Sequence, residues 1–182
     1  MRRLLLILTI LLTIPAVSAR GQHLVRMGWG DSLFESLAFH PANGTSAYTY
    51  TGHIFADYHY SITPLFSVGG QLDFQSICWT TAQNLRSRNY DLSILPTVRF
   101  TWLRREWIRL YSGLGAGLLF AFDNAGGRDF LPVFNLNSIG IQFGDGPWCG
   151  SVDLGFMVAL RGTGKVYMLG SRLLSVGVNY RW

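Results

Sequence analysis

Charged residues are scarce in this sequence. Asp, Glu, Lys and Arg together make up 14% of its 182 residues, whereas ordinary soluble domains carry about 25%. A water-soluble surface on a chain of this length normally carries more charge than this. The composition therefore disfavours an ordinary soluble domain.

Long apolar runs are also missing beyond residue 19. No later segment contains the roughly 20 consecutive apolar residues that a transmembrane helix requires, so helical membrane spans are excluded. Cysteine is rare as well, because only Cys78 and Cys149 occur. Two cysteines do not make the framework of a disulfide-dense secreted domain. We expect both thiols to remain unpaired, as small buried or lipid-facing side chains.

The chain opens with the pattern of an exported protein. Arg2 and Arg3 precede an apolar run at residues 4–14, and the small-residue positions Val17 and Ala19 follow. This pattern predicts a secretory signal peptide at residues 1–19, cleaved after Ala19. An uncleaved anchor is the alternative, but the apolar run is shorter than the roughly 20 residues that span hydrocarbon.

The remaining residues, 20–182, are expected to form one domain. Without Arg2 and Arg3 they hold 13 Lys and Arg against 10 Asp and Glu, a net charge of +3. That charge is too small to argue for nucleic acid as a partner. An exported chain with few charges and no helical span has one common architecture, a transmembrane β-barrel, in which strand pairing satisfies every backbone group.

Alternating polar and apolar residues predict eight strands. The clearest alternation runs from Tyr48 to Ile62, where apolar residues and tyrosines oppose polar residues such as His53, Asp57 and His59. Eight is an even number, as bacterial single-chain barrels require. The predicted strands cover residues 24–30, 48–62, 66–75, 90–102, 108–120, 130–143, 152–160 and 165–182.

Two irregularities and a pattern of connections are expected. Pro96 removes a ladder donor, which suggests a bulge in the fourth strand, and the apolar face of the sixth strand changes phase near Asn137, which predicts another. Longer connections alternate with short turns, typical of outer loops and periplasmic turns, so both chain ends would face the periplasm. The longer connections are 31–47, 81–89, 123–129 and 161–165, and the turns are 63–64, 104–106 and 144–147.

The apolar face of the strands is predicted to point outwards, into lipid. Tyr48, Tyr50, Tyr58 and Tyr60 lie where aromatic girdles at the membrane surfaces are expected. A secreted lipocalin-like barrel has the same strand number with reversed faces. The low charge and the aromatic residues at both ends of the apolar faces favour the membrane form.

Polar side chains then line a narrow lumen, where charges must be paired. An eight-stranded barrel has room inside for side chains but not for a wide aqueous channel. We therefore expect a structural polar plug. The residues assigned to it are Asp57, Asp73, Arg99, Arg109 and Asp153, with Asp91 and Arg181 on the same face.

The chain ends in a polar residue, a glycine and two aromatic residues, namely Ser175, Gly177, Tyr180 and Trp182. This ending resembles the C-terminal signal that delivers outer-membrane β-barrels to their assembly machinery. Segment 109–120, RLYSGLGAGLLF, is similar to a strand common in small outer-membrane barrels of Gram-negative bacteria. The chain is thereby identified as a member of the small eight-stranded outer-membrane β-barrel proteins.

The resemblance implies an all-β fold, an eight-stranded antiparallel up-and-down transmembrane β-barrel in the outer membrane of a Gram-negative bacterium. Gly177, Tyr180 and Trp182 would form the assembly signal. The implied partners are the barrel-assembly machinery, outer-membrane lipid and lipopolysaccharide, and the barrel is expected to be a monomer.

One spacing in the sequence is compatible with catalysis. His59 and Ser61 share a face, and an imidazole beside a hydroxyl can act as base and nucleophile; outer-membrane lipid A deacylases use a similar His-x-Ser on a barrel strand. The pair precedes the turn at 63–64, on the predicted periplasmic side, whereas the deacylase site faces the outer leaflet. We therefore assign no catalytic residue. The two-residue spacing of His53, Asp57 and His59 is weak evidence for a metal site, because alternation places the polar lumen residues of any strand two apart. No metal or cofactor is expected.

The favoured function is a non-enzymatic outer-membrane barrel with a structural or loop-mediated binding role. Cations in the predicted outer loops can meet lipopolysaccharide phosphates. They are Arg86, Arg88, Arg128, Arg161 and Lys165. The alternative is a lipid-modifying barrel enzyme similar to the lipid A deacylases.

Overall fold

The computed structural model describes residues 23–31, 45–81, 86–124, 126–161, 165–171 and 173–182. Within these ranges the side chains of 31, 45–51, 77, 79–81, 86–87, 123, 161 and 165–171 are not described. The predicted signal peptide at residues 1–19 and most of the first predicted loop lie outside the described residues.

The regular structure of the described residues consists of nine strand segments that form eight barrel strands. Segments β8 and β9 both pair with β7 and follow each other along its edge, so together they make the eighth strand. No described helix is long and apolar enough to cross a membrane. The segments are β1 (His23–Asp31), β2 (Thr45–Ser61), β3 (Phe66–Thr81), β4 (Arg86–Arg104), β5 (Ile108–Asp123), β6 (Arg128–Phe143), β7 (Trp148–Arg161), β8 (Lys165–Ser171) and β9 (Leu174–Arg181).

The sheet closes on itself through the pairing of β1 with β9. All pairings are antiparallel between chain neighbours, and β1 closes the ring by pairing with β9, for example Met27 with Val178. At the end of this seam the backbone N–H of His23 donates to the carbonyl of Trp182 at 3.1 Å, and the N–H of Trp182 donates to the carbonyl of His23 at 3.2 Å. The predicted all-β, eight-stranded antiparallel up-and-down barrel is confirmed.

The barrel has two distinct ends. The end that holds both chain ends, here called the terminus end, also holds the turns at 62–65, 105–107 and 144–147. The other, the loop end, holds the connections 32–44, 82–85, 124–127 and 162–164. Four longer connections were predicted at the loop end, and this prediction is wrong for the last three, which are short. Strand pairing continues beyond the predicted strand limits, as in Thr80 with Arg86 and Phe122 with Arg128.

The bulges of the barrel do not lie at Pro96, where one was predicted. The phase change near Asn137 is confirmed, since the register with β7 shifts between Asn137 and Ile139. The bulge predicted at Pro96 is wrong, because Pro96 pairs with Gly70 in an unbroken register to β3. The register between β4 and β5 instead shifts between Thr101 and Leu103.

A further bulge, which the alternation did not predict, lies in β2. The register with β3 shifts between Tyr50 and His53, and Gly52 has a φ of 75°, a conformation that glycine adopts without steric cost. The alternation predicted from Tyr48 to Ile62 is therefore interrupted at Gly52. Tyr48 and Tyr50, predicted as girdle residues, are among the residues whose side chains are not described.

The outer surface of the barrel is apolar, and the lumen is polar. Among the described residues, the outward positions include exposed Met27, Ile54, Leu72, Leu114 and Val178. The reversed, lipocalin-like alternative is wrong for the described strands. Aromatic side chains are exposed near the terminus end, at Tyr58, Trp102, Trp107, Trp148, Tyr180 and Trp182, where an interface girdle belongs.

Candidate functional site in the barrel lumen

Arg26 is the hub of the lumen. Alternation along β1 turns it inwards, where it is 2% exposed. Its Nε donates to Oδ2 of Asp57 at 2.8 Å, and its Nη1 donates to the hydroxyl of Tyr111 at 3.0 Å. It also forms ion pairs with Asp57 and Asp153, and the Tyr111 hydroxyl donates to Asp153. We call Arg26, Asp57, Tyr111 and Asp153 the lumen network.

The lumen network balances its charges with help from Arg99. The guanidinium of Arg99 stacks on the Tyr111 ring at 4.1 Å, and that of Arg26 lies 4.7 Å from the centroid of Phe55. Two arginines thus accompany the carboxylates of Asp57 and Asp153. Because a buried charge is costly unless it is paired and hydrogen-bonded, this arrangement allows four charged groups to occupy one narrow interior.

Glycines make the space that these large side chains occupy. A Cβ added at Gly140 would lie 2.5 Å from Oδ1 of Asp153 and against the Tyr111 ring. Two glycines of β5 are similarly enclosed, since a Cβ at Gly117 would lie 2.8 Å from Cα of Leu95 and a Cβ at Gly115 would lie 2.9 Å from Cγ2 of Thr97. Bulky inward residues and missing side chains therefore complement each other across the lumen.

A second polar group lies beside the lumen network. The side chain of Gln71 donates to Asp73, and Nδ2 of Asn135 donates to Oε1 of Gln71 at 3.0 Å. Farther towards the loop end, Nε2 of Gln75 donates to Oδ2 of Asp91 at 2.9 Å. Amide side chains thus supply donors to two further buried carboxylates.

The lumen-facing side chains form layers along the barrel axis. Towards the loop end an apolar cluster occupies the lumen, with Leu95, Leu119, Ala121, Leu131, Val133, Met157 and Ala159 all buried. The polar layer contains a cavity of about 20 Å³ between Arg26, His59 and Asn135, which is room for about one water molecule.

A third layer at the terminus end holds Arg109 and Arg181. Nη2 of Arg181 donates to the carbonyl of Gly146 at 2.7 Å. Arg109 stands in the ladder between Arg104 on β4 and Gln142 on β6. Alternation along the strands assigned both arginines to the lumen. In the described contacts, neither of them bonds to the lumen network.

The residues predicted for the plug are therefore distributed over the three layers. Asp57, Asp153 and Arg99 meet around Tyr111, Asp73 belongs to the neighbouring amide group, and Arg109 lies apart at the terminus end. Sequence reasoning missed Arg26 as the hub. The available signal was its position as the one charged residue within the predicted first strand, opposite the apolar face of Met27 and Trp29.

The other predicted site residues lie at the two ends. The cations predicted for loops lie at strand ends instead, with Arg86 and Arg88 in β4, Arg128 in β6, Arg161 in β7 and Lys165 in β8. Arg88 donates to the Tyr90 hydroxyl at 3.4 Å.

His59 is buried in the lumen, and Ser61 ends β2 at the terminus end. In the described part of the chain no group of three or more His, Cys, Asp or Glu is placed to hold a metal ion, and Cys78 and Cys149 are both free thiols.

Gly177, Tyr180 and Trp182 line the closing seam. Gly177 pairs with Gly28 and Tyr180 pairs with Val25 across the seam with β1. The Trp182 ring stacks on His23 with centroids 5.3 Å apart, and it also contacts Tyr180 at 5.5 Å. The residues of the predicted assembly signal thus also take part in barrel closure.

Two solved structures share this architecture. One is the crystal structure of Ail, the attachment invasion locus protein of Yersinia pestis, in complex with the heparin analogue sucrose octasulfate; it is 15% identical, with a TM-score of 0.51 over 90% of this chain and 100% of that chain. The other is Neisserial surface protein A (NspA), 12% identical, with a TM-score of 0.53 over 91% of this chain and 100% of that chain. No family model matches the sequence, and no curated protein matches it significantly.

At this level of identity the likeness concerns the fold alone. The chain has the closed eight-stranded antiparallel fold of small Gram-negative outer-membrane barrels, which confirms the fold predicted from the strand pattern and the C-terminal ending.

Proposed function

We propose that the chain is an integral outer-membrane barrel, exported with residues 1–19 as a cleaved signal peptide, that acts without enzymatic activity as a plugged scaffold for binding at its loop end. The apolar outer surface supports membrane insertion, because exposed Ile54, Leu72 and Leu114 suit hydrocarbon and not water. The terminus end would face the periplasm, and the loop end would face the outside.

The single observation that carries the proposal of a plugged lumen is the set of contacts made by Arg26. Its guanidinium bonds to Asp57 on β2, Tyr111 on β5 and Asp153 on β7, so one side chain joins strands on opposite sides of the lumen. A conducting path would have to break these buried ion pairs, whose loss is strongly destabilising. The apolar cluster around Leu95 and Val133 adds a second obstruction.

Liposome swelling tests the plug. Purified protein reconstituted into liposomes is transferred to isotonic arabinose, with a general porin as the positive control and protein-free liposomes as the negative control. We expect the swelling rate of the protein-free liposomes. Arabinose entry at a rate comparable to the porin would show that the lumen is open and would reject the proposal.

The loop end is the proposed binding surface. Five cations lie at its strand ends, namely Arg86, Arg88, Arg128, Arg161 and Lys165. The acidic residues at described strand ends there are Asp31, Asp123 and Asp129. Arginine binds phosphate through parallel charge-assisted hydrogen bonds, so lipopolysaccharide phosphates are the proposed ligands. The Ail barrel is described in complex with a sulfated polyanion, a ligand of the same charge type.

Binding is tested with exposed single substitutions. Arg128→Gln at the loop end should weaken binding of purified lipopolysaccharide by about threefold, the scale of one exposed ion pair. Arg105→Gln, an exposed turn residue at the terminus end, is the matched control and should bind as the unaltered protein does. Equal binding by all three proteins, or undiminished binding of dephosphorylated lipopolysaccharide, would reject phosphate recognition.

The monomeric state and delivery to the barrel-assembly machinery belong to the same proposal. A closed sheet offers no edge for pairing with a second chain, which favours a monomer. Gly177 and Tyr180 lie on β9 and Trp182 follows its last residue, where the assembly machinery would have access before the seam with β1 closes.

A further inference from the structure

Three arginines lie together at the terminus end of the barrel. Arg109 stands directly opposite Arg104 in the ladder between β4 and β5, and both Arg104 and Arg181 repel the Arg109 guanidinium. Like charges directly opposite each other destabilise a sheet. We call Arg104, Arg109 and Arg181 the cationic cluster.

The cationic cluster lacks the carboxylates that neutralise the lumen network. Arg26 has Asp57 and Asp153 as ion-pair partners, whereas the charged groups that act on Arg109 include no Asp or Glu. Cys149, at the same end of the barrel, is buried against the carbonyls of Gly144 and Gly146. In the described part of the chain, Arg104, Arg109 and Arg181 form no ion pair with a carboxylate.

Three buried donors in this layer also lack a hydrogen-bond partner in the described part of the chain. They are Nε of Arg109, Nη1 of Arg181 and Nε2 of Gln142. Gln142 is directly opposite Arg109 in the ladder between β5 and β6 and is only 5% exposed. A buried donor without an acceptor costs free energy. A layer that holds three such donors beside arginines is therefore matched to an acceptor that the described residues do not supply.

We propose that Arg109, Arg181 and Gln142 bind a phosphate-type oxyanion at the terminus-end mouth of the lumen, with Arg104 adding positive potential. Phosphate oxygens are acceptors and carry negative charge, while arginine and the amide nitrogen of glutamine are donors. Charge-assisted hydrogen bonds from guanidinium groups to phosphate are among the strongest in proteins. The same chemistry is offered by free inorganic phosphate and by the headgroup phosphate of a lipid.

The direct test is a titration of inorganic phosphate into the full folded protein. In zwitterionic detergent micelles, ³¹P NMR line broadening and the thermal unfolding midpoint are followed as phosphate replaces chloride at constant ionic strength. We expect saturable broadening and a midpoint that rises with phosphate, because a ligand that binds only the folded state stabilises it. An equal response to phosphate and chloride would overturn the proposal.

Matched variants locate the site. Arg109→Gln and Arg181→Gln should each weaken phosphate affinity by about tenfold, the order of one charge-assisted hydrogen bond. Arg105→Gln removes the same charge from an exposed turn at the same end and should leave the affinity unchanged. If Arg109→Gln and Arg105→Gln bind phosphate equally well, the proposal fails.

The direction in which Arg109→Gln shifts the thermal unfolding midpoint distinguishes an anion site from a structural role for Arg109. Without phosphate, Arg109→Gln should unfold at the same temperature as the unaltered protein or higher, because the substitution relieves repulsion from Arg104 and Arg181. A structural role for Arg109 in stabilising the barrel requires a lower midpoint instead, and that result would contradict the proposal.

Nanodiscs distinguish the two sources of phosphate. The titration is repeated in discs of phosphatidylcholine and in discs that also contain phosphatidylglycerol. A phosphate response that persists in both discs assigns a free oxyanion, and a response that phosphatidylglycerol abolishes assigns the headgroup of an anionic lipid. Either result supports the site, whereas absence of the response in micelles and in both kinds of disc overturns it.

Discussion

Nε of Arg26 on β1 lies 2.8 Å from Oδ2 of Asp57 on β2, and the same guanidinium pairs with Asp153 on β7. Arg26 belongs to the first strand, which closes the barrel against β9. Its ion pairs therefore link the first strand both to its chain neighbour and to a strand near the other end of the chain. The lumen and the closing seam are stabilised by the same residue.

Arg26→Met should destabilise the barrel strongly. The substitution leaves the buried carboxylates of Asp57 and Asp153 without their cation, and breaking a buried pair costs about 3–5 kcal/mol. The free energy of unfolding is measured by urea titration in detergent micelles with tryptophan fluorescence. Arg105→Met, in an exposed turn, is the control and should change it by less than about 0.5 kcal/mol.

A combined variant checks the cause of that loss. Adding Asp57→Asn and Asp153→Asn to Arg26→Met removes the unpaired charges, so part of the lost stability should return. If Arg26→Met alone were as stable as the Arg105→Met control, the lumen network would not stabilise the barrel as argued.

Gly28→Ala should destabilise the barrel where Gly70→Ala does not. A Cβ at position 28 would lie 2.8 Å from Cα of Gly177 across the closing seam and 2.5 Å from the Phe55 ring, whereas a Cβ at position 70 would meet only the carbonyl oxygen of Leu95, at 3.9 Å. Overpacking of this kind costs about 1–3 kcal/mol. The same urea titration compares the two variants, and equal stabilities would show that the seam can widen freely.

Trp182→Ala should impair assembly in cells more than folding in detergent. The backbone bonds between His23 and Trp182 survive the substitution, so refolding in micelles should stay near normal. If Trp182 is part of the assembly signal, the amount of folded protein in the outer membrane should fall, measured by gel migration before and after boiling. Trp107→Ala, an exposed tryptophan in a terminus-end turn, is the control, and equal outer-membrane amounts for both variants would count against the signal.

His59→Ala and Ser61→Ala should leave lipid A unchanged. His59 is buried in the lumen, and Ser61 ends β2 at the terminus end, which would face the periplasm and not the outer leaflet. Lipid A from a Gram-negative host that expresses the unaltered gene, either variant or an empty vector is compared by mass spectrometry, and we expect four identical spectra. Loss or transfer of an acyl chain with the unaltered gene alone would instead favour the lipid-modifying enzyme.

Strand number, strand order and the direction of most side chains could be read from the sequence. In a barrel with lipid outside and polar side chains inside, each strand must alternate with a period of two, so residues such as Met27, Asp57 and Leu114 were assigned to the correct face by pattern alone. The ending at Gly177, Tyr180 and Trp182 by itself indicates this type of fold. The bulge near Asn137 was predictable because it shifts the apolar residues of β6 from one phase to the other.

Alternation is a property of one strand, whereas contacts across the lumen depend on shear, bulges and closure of all eight. For that reason only the tertiary structure decided that Arg26 pairs with Asp57 and Asp153. The bulge at Gly52 and the lack of one at Pro96 likewise depend on the register of neighbouring strands. The place of Arg109 between Arg104 and Gln142 is also a product of register, because the alternation of β5 alone does not say which residues of β4 and β6 lie opposite it.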